Sequence, residues 1–92
     1  MPMSAGRWEP DPAAGLRRRL GKPPAELGAS SDTTTCPDIW ELDNGDVAVI
    51  GRDLTSAYLT RLPTDMSVGA GERLVVIPRS TILAAKHDIP DG

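Results

Sequence analysis

Two short apolar stretches flank Asp43-Asn44-Gly45-Asp46. They are Ile39-Trp40-Glu41-Leu42 and Val47-Ala48-Val49-Ile50. Asn-Gly supplies the positive φ values that a two-residue type I′ loop requires, so the pattern predicts a β-hairpin. The register then sets Leu42 against Val47, Glu41 against Ala48, Trp40 against Val49 and Ile39 against Ile50. One face would carry Trp40, Leu42, Val47 and Val49, the signature of a strand pair lying on a core.

After Gly51 the period changes. Leu54, Tyr58 and Leu62 recur every four residues behind the capping candidates Asp53 and Thr55, and Pro63 stops the run. That spacing predicts a helix. Residues 64–72 contain Gly69 and Gly71 and read as a loop. Arg73–Ile77 is apolar on both faces, as expected of a central strand. Pro78 ends it, and Arg79 or Ser80 opens a second helix through Lys86, with His87 at its C-terminal end. The order is ββαβα. The expected fold is a small α+β domain over 36–92, with a three-stranded sheet and two helices on one face. A third strand parallel to the second would need a right-handed crossover through the first helix.

Residues 1–35 differ in kind. They hold four Gly and five Pro and lack Val and Ile altogether. Such a segment buries too little to offset about 1–2 kcal/mol per residue of ordering entropy, so a disordered N-terminal tail is expected. A short helix at 12–20 is the local exception, started at Asp11-Pro12 and stopped at Gly21, with Ala13, Leu16 and Leu20 on one face.

Composition narrows the chemistry. One Cys and one His exclude a disulfide framework and a Cys/His zinc site, and no cofactor or metal is expected. The net charge is −3. Five basic and four acidic residues lie in 1–35, and five basic and nine acidic in 36–92. Broad phosphate binding is therefore disfavoured. No apolar run approaches the roughly 20 residues of a membrane span or the 7–15 of a signal peptide, so a cytoplasmic protein without membrane attachment is expected.

Gly69-Ala70-Gly71 precedes a strand, whereas phosphate cradles open helices, so it reads as a flexible turn. Glu41, Asp43 and Asp46 make an acidic tip that reads as solvated, because calcium needs six to eight oxygens. Cys36 and His87 form a catalytic pair only if the fold brings them together. The chain is accordingly read as non-enzymatic. Arg17, Arg18 and Arg19 form the basic cluster. With Trp8, a large ring in a polar tail, they are the candidate partner-binding residues.

Gly71-Glu72-Arg73-Leu74-Val75-Val76-Ile77-Pro78-Arg79, a short helix and Ile89-Pro90-Asp91-Gly92 are similar to the AbrB/MazE-type looped-hinge DNA-binding domain. That resemblance implies a transcriptional regulator or antitoxin contacting DNA through Arg73 and Arg79. Here Glu72 stands before the arginine, and the strands that follow the glycine in that family have no counterpart. Cys36–Gly51 together with Arg73–Ala85 resembles small proteins of Streptomyces and related actinomycetes encoded near helix-turn-helix regulators. No site residue carries over from that group.

An interaction module needs only a strand edge, an apolar patch or a docking tail, and each is available here. The expected function is a small regulatory or accessory protein-interaction module. Its partner would be another protein or a second copy, since about 57 residues give a marginal core.

Overall fold

The computed structural model describes residues 8–23 and 37–90. They form a small α+β domain with five strands and two helices: β1 (Leu16–Arg19), β2 (Asp38–Leu42), β3 (Val47–Ile50), β4 (Arg52–Asp53), α1 (Thr55–Tyr58), β5 (Val75–Val76) and α2 (Arg79–Lys86). A 3-10 turn, Leu59–Arg61, extends α1. Strands β1, β2 and β3 make an antiparallel sheet in that order, and β4 and β5 make a separate antiparallel ribbon.

The sheet has three strands, as expected, but its third member comes from the N-terminal segment. The expected helix at 12–20 is replaced by β1. Its start signal works locally: Asp11 Oδ1 accepts the Ala13 N–H at 2.9 Å, and Asp11 O accepts that of Ala14 at 3.1 Å. The turn then stops short. An isolated helix of two and a half turns containing Gly15 is unstable in water. Extended pairing offers backbone bonds instead, including Leu20 N to Ile39 O at 2.8 Å and Asp43 N to Gly15 O at 2.9 Å. The expected disorder of 1–35 therefore does not hold for residues 8–23, while 1–7 and 24–35 lie outside the described residues.

The expected central strand at 73–77 is also corrected. Only Val75 and Val76 are in strand conformation, and they pair antiparallel with β4. Both are more than a third exposed. A parallel return beside β3 does not occur. Gly51 explains how the ribbon meets the sheet, since a Cβ there would lie 2.7 Å from Val76 O and 2.9 Å from Ile77 Cγ2. Glycine lets the two backbones approach at that distance.

The hairpin sits where Asn-Gly places it, with its register moved by one residue. Glu41 pairs with Val47, Trp40 with Ala48, Ile39 with Val49 and Asp38 with Ile50. The loop has three residues: Leu42 N donates to Asp46 O at 2.8 Å, and Gly45 N donates to Leu42 O at 3.0 Å. Gly45 has φ +92°, and Asn44 Oδ1 accepts the Asp46 N–H at 2.9 Å. Because side chains alternate along a strand, the shift redistributes the faces. Ile39 and Val49 now share a face, and Trp40, Ala48 and Ile50 share the other.

Helix α1 forms where the spacing places it but runs only four residues before the 3-10 turn, and its cap position is Leu54, neither Asp53 nor Thr55. Asp53 Oδ1 accepts both the Thr55 N–H at 3.0 Å and the Thr55 hydroxyl at 2.7 Å. The helical path ends at Leu62, which is extended before Pro63, as a residue preceding proline prefers. Helix α2 begins at Arg79, with Pro78 in the cap position. Ser80 lies within its first turn and is not the cap. Helix α2 packs against β2 at Ile39 and leaves Val47 and Val49, on the same face, exposed. Leu20, Ile39 and Ala85 form the buried cluster, with Ile77 packed against it. Each large side chain so buried contributes about 1.5–3 kcal/mol, which makes this a small core.

Candidate interaction surface

The N-terminal segment is laced onto the β2–β3 hairpin by four carboxylates. Asp46 Oδ2 accepts the Trp8 indole N–H at 3.3 Å. Asp43 Oδ2 accepts the Gly15 N–H at 3.1 Å. Glu41 Oε1 receives Arg18 Nε at 2.8 Å. Arg19 Nε lies 3.0 and 3.1 Å from the two oxygens of Asp38. Three of these acids belong to the tip that reads in sequence as solvated. Their partners lie far back in the chain, so no local spacing reveals them.

The arginine triplet is split by the pleat and by an irregularity between Leu16 and Arg18. Arg18 points with Glu41 toward α2, where its Nη2 donates to Asp88 O at 2.7 Å. Arg19 lies on the opposite face, its guanidinium 4.9 Å from the Trp40 ring centroid. Asp38 is buried beneath it and also accepts the Ile39 N–H at 3.1 Å. A planar guanidinium suits this site because it can stack and hydrogen-bond at once. Arg17 is exposed, and its side chain makes no hydrogen bond or ion pair among the described residues. Two of the three candidate arginines therefore already have partners within the chain.

Trp8 is 67% exposed. It sits at the hairpin tip and does not roof the sheet. The face opposite α2 carries Trp40, Leu42, Ala48 and Ile50, with Leu16 paired to Leu42 at its margin. Leu16 and Ile50 are 64% and 59% exposed. The outer side of α2 adds Ile82 and Leu83, also exposed. Three apolar residues are buried against thirteen large apolar ones exposed among the described residues.

The two arginines of the looped-hinge resemblance occupy different settings. Arg73 Nε lies 3.7 Å from Asp53 Oδ2, and its Nη1 donates to Glu72 O at 2.7 Å. Arg79 is exposed at the start of α2. The Asp53 carboxyl is held below the usual carboxylate range, chiefly by the Thr55 hydroxyl and N–H and then by the Arg73 charge. His87 is exposed at the end of α2, and Cys36 lies outside the described residues. Among the described residues no group of three or more His, Cys, Asp or Glu is placed to hold a metal ion. None of their helices is long and apolar enough to cross a membrane.

Comparison of the chain with protein-family models, with curated proteins and with solved structures returned no match.

Proposed function

We propose that this protein is a small non-catalytic interaction module, regulatory or accessory in role, that acts by docking on another polypeptide. The observation that carries the reading is the sheet itself. Helix α2 packs only the Ile39 part of one face and leaves Val47 and Val49 exposed there, and the other face exposes Leu16 and Ile50 beside Trp40 and Leu42. These apolar side chains, interrupted by Arg19 stacked on Trp40 and by Asp38 opposite Ile50, are costly to leave in water on so small a domain and are available to a partner. Trp8 stands exposed at the adjacent tip, where an indole can anchor a contact through its ring while Asp46 holds its N–H.

The DNA-binding alternative draws less support. Arg73 is already countered by Asp53, and the balance of residues 36–92 is acidic. Several aligned cations are needed to release counterions from a duplex.

The test is affinity purification of the tagged full chain from its native host, with Ile50→Asp as the control bait. A protein recovered by the native bait and lost with Ile50→Asp supports the reading. Recovery of DNA alone, or of no macromolecule from a bait that is itself monomeric, overturns it.

A further inference from the structure

We propose, building on the interaction reading, that the partner is a second copy of this chain, joined edge to edge through β3 in an antiparallel pair about a two-fold axis. The sheet order leaves two outer edges, β1 and β3. They are guarded unequally. Strand β1 carries Arg17, Arg18 and Arg19 and breaks register between Leu16 and Arg18. Positive charges and bulges are the devices that keep an edge from pairing. Strand β3 is Val47-Ala48-Val49-Ile50, with neither charge, proline nor bulge. Val47, Val49 and Ile50 are all exposed. It is a regular apolar edge that pairs with nothing on its outer side among the described residues.

The hydrogen-bond pattern sets the register such a pair would take. Leu42 bonds to Asp46 across the hairpin, and bonded and non-bonded pairs alternate along an antiparallel ladder. Ala48 and Ile50 therefore turn their backbone groups toward β2, while Val47 and Val49 turn theirs outward. Two copies of an edge can bond only where outward residues meet. Centring the dyad on Val49 sets Val47 opposite Gly51 of the second copy, and Ala48 opposite its Ile50. One step further, Asp46 stands opposite Arg52 of the second copy, and by symmetry the pair occurs twice. Arg52 is exposed and makes no ion pair among the described residues. Asp46 uses one carboxylate oxygen for Trp8, which leaves the other. The edge is thus complementary to itself in charge as well as in backbone pattern. The pairing closes, as an isologous interface must. Pairing β3 with the β1 of a neighbour would instead meet the irregular arginine edge and propagate without closing.

Charge reversal provides the test, by sedimentation of the full chain. The native protein should dimerise reversibly. Asp46→Arg opposes two arginine pairs, and Arg52→Asp opposes two aspartate pairs. Each alone should raise the dimer dissociation constant at least about tenfold, the effect of turning two cross-strand attractions into repulsions. Mixing the two variants restores both pairs, so a heterodimer of native strength should form. Val47→Lys, a lysine on an exposed edge position, checks the same edge without touching either charge and should also give monomer. A native protein that stays monomeric to about 1 mM overturns the proposal, and a host partner captured by that monomer would leave the broader interaction reading standing. A native dimer indifferent to all three variants, or variants that fail to recombine, overturns the β3 assignment.

Discussion

Gly21 and Asp88 join the first strand to the end of the last helix. The Gly21 N–H donates to Asp88 Oδ2 at 2.7 Å, and Gly21 has φ +93°. A Cβ at that position would lie 2.9 Å from Ala85 N and 3.0 Å from Ala84 C. Those neighbours are helix backbone and cannot swing aside. The close approach seals the small core, because Leu20 and Ala85 lie directly beside it. Gly21→Ala therefore combines positive-φ strain with overlap and should destabilise by about 2–4 kcal/mol. Thermal unfolding measures this. Unfolding at the native temperature would mean that the strand and helix do not meet here.

Arg19 and Arg17, two residues apart, should behave oppositely. Arg19→Ala strands the buried Asp38 carboxylate and uncovers Trp40, at a cost of about 1–3 kcal/mol. Arg17→Ala should stay within about 0.5 kcal/mol, as surface substitutions do. Chemical denaturation of the two variants separates them.

The hairpin loop makes a graded prediction at Gly45. No atom of the described residues lies within 4 Å of a Cβ built there, so the penalty is backbone strain. Gly45→Val should cost about 1–3 kcal/mol. Gly45→Asn should cost less, because asparagine tolerates the left-handed region. Equal melting temperatures for the two variants would contradict the observed φ.

Thr81 is buried on α2, and its hydroxyl has no hydrogen-bond partner among the described residues. A buried unpaired polar group costs about 1–3 kcal/mol. Thr81→Val keeps the shape and removes the group, so it should stabilise the fold by up to about that amount. Thr81→Ser should not.

Asp53 links the ribbon to pH. Its folded pKa is below the ordinary value of 3.8, with the Thr55 hydroxyl the leading cause. A depressed carboxyl contributes its stability above the unfolded pKa. That contribution is lost as pH falls through the folded value. Thr55→Val should move the Asp53 titration, followed by NMR, up toward the ordinary range. An unmoved titration would show that the hydroxyl does not bond this carboxylate.

Features governed by neighbours in sequence were legible at once. Asn44-Gly45 placed the hairpin, Pro63 stopped α1, Pro78 set the start of α2, and 64–72 is a loop. Each depends on φ preferences and hydrogen bonds within about four residues. The α+β class and the succession of hairpin, α1 and α2 follow from those signals and from apolar periodicity, whereas β4 (Arg52–Asp53) carried no signal. That so short a folded segment makes only a marginal core was legible too, since it is a matter of length.

Pairing between distant segments was decided only by the tertiary structure. Residues 16–19 have weak preferences either way, and they become a strand because β2 offers an edge and Asp38, Glu41 and Asp88 offer partners for Arg19, Arg18 and Gly21. The arginine triplet reads as one patch in sequence, yet the pleat and the irregularity at Arg17 send its members to different faces. The one-residue change of register at Gly45 has the same origin. Two-residue and three-residue loops both accept a glycine with positive φ, so the turn residues do not choose between them. The choice decides whether Val49 or Ile50 shares a face with Ile39, a difference that matters only once Ile39 has packed against Leu20 and Ala85.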